Sequence, residues 1–221
     1  MGRKATETAQ ALTDIYDRLF QRYGPQHWWP GETPFEVIIG AILTQSTAWS
    51  NVEKAIINLK AVGVLDPESL YSIPVDDLAA LIRPSGYYNA KAAKVKAFIE
   101  RLHDGYGGNL DRLFELDTGD LRKELLSIYG IGPETADSIL LYAANRLMFV
   151  IDAYTKRILG RLGIALDGDS YEAFQRLFME NLRHDEGMFN EYHALFVRHG
   201  KDACRRDPTC EGCCLLDICT Y

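Results

Sequence analysis

Residues 125–143 read LLSIYGIGPETADSILLYA. An apolar helical run stops at Gly130, one residue intervenes, and Gly132-Pro133 opens a second run. Glycine takes positive φ without a Cβ penalty. Proline suits the first turn of a helix, where its missing N–H costs nothing. The stretch therefore reads as helix, tight turn, helix. Backbone amides at the start of the second helix, reinforced by the helix dipole, form a place for an anion such as phosphate. That grip needs no lysine, so it is compatible with a formal net charge of −7. By itself, a Gly-x-Gly before a helix is as readily a plain connection, and the surrounding sequence has to decide.

Helical periodicity dominates on both sides of the turn. Residues 5–24 place Leu12, Ile15, Leu19 and Phe20 on one face and stop at Gly24-Pro25. PFEVIIGAILTQ (34–45) is apolar almost throughout, a buried helix or a strand, and Pro34 favours helix. SNVEKAIINLKAVG (50–63) opens on Ser50 as a cap and ends at Gly63. About ten helical segments and no alternating strand give an all-α fold class. No run of 18 apolar residues occurs, so no membrane span is expected. The first twenty residues contain no apolar leader segment. A cytoplasmic protein, associated with the nucleoid of a bacterium or archaeon, is the expectation.

Two further features carry chemistry. Asp152, in VIDAYTKRILGRLG (150–163), follows an apolar pair and precedes a helix. It reads as an N-cap, or as a carboxylate able to stabilise a developing cation or activate water. One role does not exclude the other. All five cysteines lie in the last 18 residues, at positions 204, 210, 213, 214 and 219. Without a leader segment this clustering favours a metal over disulfides.

GIGPETAD, VIDAYTKRILGRLG and the terminal cysteines together resemble the helix-hairpin-helix DNA glycosylases of the endonuclease III superfamily. PFEVIIGAILTQSTAWSNVEKA (34–55), RPSGYYNAKAAKVKAF (83–98) and LFVRHGKDACRRDPTC (195–210) extend the likeness over residues 30–221. The resemblance implies an enzyme that flips a nucleotide out of double-stranded DNA and cuts its glycosidic bond. In that family Asp152 is the catalytic carboxylate, and Gln45 enters the space left by the base. Gly130, Gly132 and Thr135 belong to the DNA-binding hairpin. Cys204-x5-Cys210-x2-Cys213-x5-Cys219 is a compact four-thiolate set, for which the resemblance implies a [4Fe–4S] cluster, with zinc as the alternative. Cys214 is left over. The family's usual first gap is one residue longer. Arg198, Lys201, Arg205 and Arg206, around the cluster, are candidate phosphate contacts or a solvated face.

Two departures narrow the reading. Bifunctional members carry a nucleophilic lysine two residues after the second hairpin glycine. Here Glu134 stands there and cannot form a Schiff base. The adenine-excising branch has a glutamate where Ala41 stands. All three tryptophans, Trp28, Trp29 and Trp49, fall close together in the sequence. This is similar to the branch that removes 3-methyladenine and related alkylated purines, in which residues matching Trp29 and Trp49 sandwich the base. Residues matching Glu134 and Lys201 also line that pocket, and Trp28 is a further candidate. Indole faces and a carboxylate suit a cationic purine. The expected architecture is a six-helix lobe over 33–146. A terminal lobe from 1–32 and 147–221 would carry the cluster loop at 204–219. The expected activity is a monomeric, monofunctional alkylpurine DNA glycosylase. The alternatives are an endonuclease III-like enzyme for another damaged base, with or without lyase activity, and a non-catalytic damage-binding module.

Overall fold

The computed structural model describes residues 2–164 and 168–221. Among these it contains twelve α-helices and no strand. The helices are α1 (Gly2–Tyr23), α2 (Pro34–Leu43), α3 (Trp49–Ala61), α4 (Pro67–Ser72), α5 (Val75–Leu81), α6 (Tyr88–Tyr106), α7 (Leu110–Phe114), α8 (Thr118–Ser127), α9 (Pro133–Ser138), α10 (Ala153–Arg161), α11 (Tyr171–Asn181) and α12 (Glu186–Asp202). No helix among the described residues is long and apolar enough to cross a membrane. The chain divides into a central unit, Trp29–Arg146, and a terminal unit, Met1–Trp28 with Leu147–Tyr221.

In the central unit α2 is the core. Thr33 caps it by accepting the Glu36 amide at 3.1 Å, Pro34 fills its first turn, and nine of its ten residues are buried. A helix apolar all round must be wrapped by its neighbours, and α3, α6 and the segment 139–143 pack on it. Lys91, on α6, is also buried. Its ammonium donates to the Leu43 carbonyl at 2.8 Å and the Ser85 carbonyl at 2.6 Å, tying down the end of α2. Burial and the nearby Lys94 charge push Lys91 down to about 8.

The expected Ser50 cap is not used. The α3 helix starts two residues earlier, after an extended Ala48, without a side-chain cap. Trp49 is thereby its first residue.

In the terminal unit α1 buries Leu12, Ile15 and Leu19 against α11 and α12. Phe20, expected on the same face, is 37% exposed and stacks on Tyr16 instead. One residue past Leu19 is a rotation of about 100°, which takes it off the buried stripe. Phe149, Phe178, Phe189, Tyr192 and Phe196 form the aromatic centre of this unit. The Tyr192 hydroxyl donates to the Leu12 carbonyl at 2.8 Å, so its burial leaves no orphaned polar group.

Candidate active site and metal centre

The hairpin is built as its residues suggest, with one difference. Gly130 has φ +81°, but Gly132 is extended at φ −95°. Only Gly130 needs glycine for its backbone angle. A Cβ on Gly130 would also lie 2.3 Å from the Lys94 stem, whereas nothing lies within 4 Å of the Cβ position at Gly132. Gly132 is the N-cap of α9 and offers no side-chain cap. Glu134 is exposed in the first turn, and Thr135 is buried. Asp137 is fully buried and held by the Arg122 guanidinium at 2.7 and 3.1 Å, which fastens α9 to α8. After Ser138 the helix continues as a π-helical turn, Ile139–Ala143.

Gln45 lies in the turn after α2. Its Nε2 donates to the Gly130 carbonyl at 2.9 Å and to Thr135 Oγ1 at 3.0 Å, and its Oε1 accepts from Lys94 Nζ. Gln45, Gly130 and Thr135 are therefore brought together, although 85 and 90 residues separate the glutamine from its partners.

Trp29 and Trp49 also meet in the central unit. Their rings are 5.2 Å apart and edge to face at 86°. They touch each other rather than standing parallel across a gap. Gly40 permits this: a Cβ there would meet Trp29 Nε1 at 3.3 Å and Trp49 at 3.4 Å. Tyr142, from the π-turn, adds a third ring 5.3 Å from Trp29. No periodicity argument singled Tyr142 out, because the π-turn changes which face it occupies. Beside the indoles is a cavity of about 430 Å³ whose lining includes Glu32, Glu36, Glu53 and Lys60. Lys60 bridges Glu32 and the buried Glu36, each at 2.9 Å. Ala41 is a buried core residue of α2.

Trp28, adjacent in sequence to Trp29, belongs to the terminal unit. Its ring lies 5.9 Å from Lys201 Nζ, within cation–π range. Burial pushes the Lys201 ammonium below its ordinary range, while Asp152 and Asp202 oppose that shift.

Asp152 caps α10. Its Oδ1 accepts the Thr155 amide at 2.7 Å and the Thr155 hydroxyl at 2.8 Å, and the residue is 8% exposed. His193 Nε2 lies 3.6 Å from Oδ2, longer than a hydrogen bond, so a protonated ring acts there chiefly through its charge. Burial pushes the carboxyl up. The His193 ring and the two Thr155 groups outweigh it and hold Asp152 below the usual carboxylate range. His193 was not foreseen. The available signal was its spacing of seven residues from Gly200, which places both on one face of α12. A Cβ on Gly200 would lie 2.3 Å from the Tyr154 ring, so this glycine lets α10 and α12 pack closely.

At the C-terminus Cys204, Cys210, Cys213 and Cys219 line one small, largely apolar pocket, and Cys214 does not. Two thiols have polar neighbours: Arg161 Nη1 donates to Cys204 Sγ at 3.3 Å, and His199 Nε2 is 3.8 Å from Cys213 Sγ. Among the described residues no three His, Cys, Asp or Glu groups stand close enough to hold a single ion. Four sulfurs lining one apolar pocket, with the Arg161 guanidinium against one of them, are a donor set that suits a thiolate-ligated centre. Of the candidate phosphate contacts, Arg198 pairs with Asp202 at 2.6 Å and Arg205 donates to Thr209 at 2.8 Å, while the Arg206 carbonyl accepts from Arg161.

Comparison with known proteins bears on this geometry. The family model for HhH-GPD superfamily base excision DNA repair proteins matches residues 39–184. A protein of Methanocaldococcus jannaschii, provisionally named a DNA repair glycosylase, is 46% identical over 95% of this chain and 96% of its own. Endonuclease III of Sulfolobus acidocaldarius is 31% identical over 85% of this chain and 82% of its own. Among solved structures, an H. pylori 3-methyladenine DNA glycosylase bound to 1,N6-ethenoadenine superposes with a TM-score of 0.74 at 28% identity, covering 89% of this chain and 97% of the other. A DNA-bound endonuclease III shares the fold at a TM-score of 0.81 and 23% identity, covering 96% of this chain and 95% of the other. The chain belongs to the HhH-GPD superfamily of base excision DNA repair proteins and is a DNA N-glycosylase.

Proposed function

We propose that this glycosylase hydrolyses the N-glycosidic bond of alkylated purines, of the 3-methyladenine and 7-methylguanine type, without cutting the strand. The observation that carries this reading is the cavity of about 430 Å³ that combines two indoles with three carboxylates and one ammonium. Its chemistry favours a flat cation over a neutral base. Because Trp29 and Trp49 meet edge to face, the reading treats them as adjoining walls; a base stacked between them requires one ring to turn. An alkylated purine leaves readily, since departure restores its neutrality. The remaining task is to stabilise an oxocarbenium-like sugar and admit water, and Asp152 is assigned that role. Its depressed pKa keeps it anionic at neutral pH. Gly130, Gly132 and Thr135 are assigned to the backbone of a DNA duplex, and Trp28, Glu134 and Lys201 to the lesion. Glu134 in place of an amine supports hydrolysis over lyase chemistry.

Cys204, Cys210, Cys213 and Cys219 are assigned to a [4Fe–4S] cluster, which when bound supplies a structural cross-link. A tetrahedral zinc needs its sulfurs closer together, at roughly 3.8 Å for a Zn–S bond of about 2.3 Å. Visible absorbance lost in Cys213→Ser and kept in Cys214→Ser is the expected outcome for this ligand set. The protein is assigned as a monomer acting on duplex DNA in the cytoplasm.

The test is incubation with duplexes carrying 3-methyladenine, 7-methylguanine, hypoxanthine, uracil or thymine glycol. Release of intact alkylated purine, with strand breakage only after heat or base, is expected. Borohydride trapping of a covalent protein–DNA adduct, or release confined to thymine glycol, overturns the reading in favour of an endonuclease III-like activity. Binding without release overturns catalysis.

A further inference from the structure

Gln45 does not hang freely from the end of α2. Its amide is held at both ends, by groups that can each play only one role. The Gly130 carbonyl can only accept, and Lys94 can only donate, so the two together fix which end of the amide is oxygen. With Thr135 Oγ1 as a second acceptor, both Nε2 hydrogens are spent and one lone pair of Oε1 remains. Lys94 reaches this position along the underside of the hairpin. Its stem fills the space that a side chain at residue 130 would take. Lys94 is thus packed against the same turn that Gln45 bonds to, and both lie in the central unit.

We propose that Lys94 is a positioning residue that holds Gln45 against the hairpin, with one acceptor lone pair presented to the base left without a partner when its lesion is extruded. This rests on the reading of Gln45 as the side chain that enters the duplex. The matching chemistry on the orphaned base is an N–H donor: the ring N–H of thymine opposite an adenine-type lesion, or the exocyclic amine of cytosine opposite a guanine-type one. The competing role for an ammonium near a DNA-binding hairpin is direct contact with phosphate. The two roles differ in their coupling to Gln45.

The experiment uses the full chain and a duplex carrying a tetrahydrofuran abasic analogue opposite 2-aminopurine, whose fluorescence reports unstacking. Lys94→Met keeps the aliphatic stem against Gly130 and removes only the charge and the donor. An unchanged thermal midpoint is expected for it. Gln45→Ala is expected to abolish the fluorescence change. Lys94→Met is expected to reduce the population of the inserted state about tenfold, the size of one lost charge-assisted hydrogen bond. The double variant is expected to match Gln45→Ala, because the lysine acts through the glutamine. Full signal in Lys94→Met overturns the proposal. So does an additive loss in DNA affinity accompanied by a salt slope reduced by about one, the mark of a phosphate contact. A signal untouched by Gln45→Ala also overturns it, at the glutamine itself. Release of alkylated base by the same preparation is measured separately, so the glycosylase reading stands or falls on its own.

Discussion

Two helices, α9 and α10, begin in opposite ways. At α9 the capping residue is Gly132, extended, exposed and without a side chain to offer. At α10 the capping residue is Asp152, buried, its own oxygen bonded to the amide and hydroxyl of Thr155. A helix start carries a partial positive charge and unsatisfied amides. The first brings no anion of its own, and its amides are the ones proposed to meet a DNA phosphate. The second supplies its own anion and keeps it dry. Motif reading treats both as helix starts; the difference in burial separates a bare, exposed start from one that carries a buried charge.

The largest expected effect breaks this comparison at α10. Asn caps as well as Asp, so Asp152→Asn keeps the Thr155 contacts, and its stability at neutral pH stays within about 1 kcal/mol of the parent. Base release, by contrast, falls roughly 10²–10⁴-fold, the usual worth of a positioned catalytic group. Single-turnover release and chemical denaturation, run side by side, check this. Equal losses in both would reduce Asp152 to a cap.

Next in size is a pair of substitutions at the hairpin. Gly130→Ala forces a side chain into positive φ and onto the Lys94 stem, and an expected loss of about 1–3 kcal/mol follows from the strain alone. Gly132→Ala meets neither obstacle and should leave the thermal midpoint nearly unchanged. Its methyl group would stand where a phosphate is proposed to approach the α9 amides, so DNA affinity is expected to drop in both variants. Affinity unaltered in Gly132→Ala would show that the open helix start is not used.

The smallest effect concerns acid. Asp152 titrates below the usual carboxylate range when folded, so the unfolded chain takes up its proton first as pH falls. Its contribution to stability is present above the unfolded value and is lost as pH drops through the folded one. The Asp152→Asn variant should show a shallower decline in stability on the acid side, starting below about pH 4. An identical acid limb in both proteins would mean that burial cancels the partners.

What could be read from the sequence was local. Gly-x-Gly-Pro announces a hairpin because the positive φ of Gly130 and the missing N–H of Pro133 are local requirements. Asp152 is legible as a cap, and the spacing of four cysteines marks a pocket, for the same reason. What could not be read depends on partners distant in sequence. Periodicity put Phe20 inside at the margin of the apolar face, yet it lies about 100° past Leu19 and stacks on Tyr16 partly exposed. Ser50 looked like a cap, but the cap falls two residues earlier, at Ala48, and makes Trp49 the helix start. The short helices α4, α5 and α7 lack enough turns for a period to show. His193, Lys94 and Tyr142 carry no motif, and each matters through a neighbour that only the fold supplies.

The π-turn at Ile139–Ala143 has a consequence for how this chain tolerates change. A π-turn holds one residue more than the α-helical turn it replaces, so the last residues of this helix stand rotated by about 100° from where a regular helix would place them. Removing a single residue from this turn would restore a regular helix without breaking any helical pattern, and would swing Tyr142 away from Trp29. The aromatic cluster is thus set by a count of residues as much as by their identity, and an otherwise silent deletion there would rewrite it.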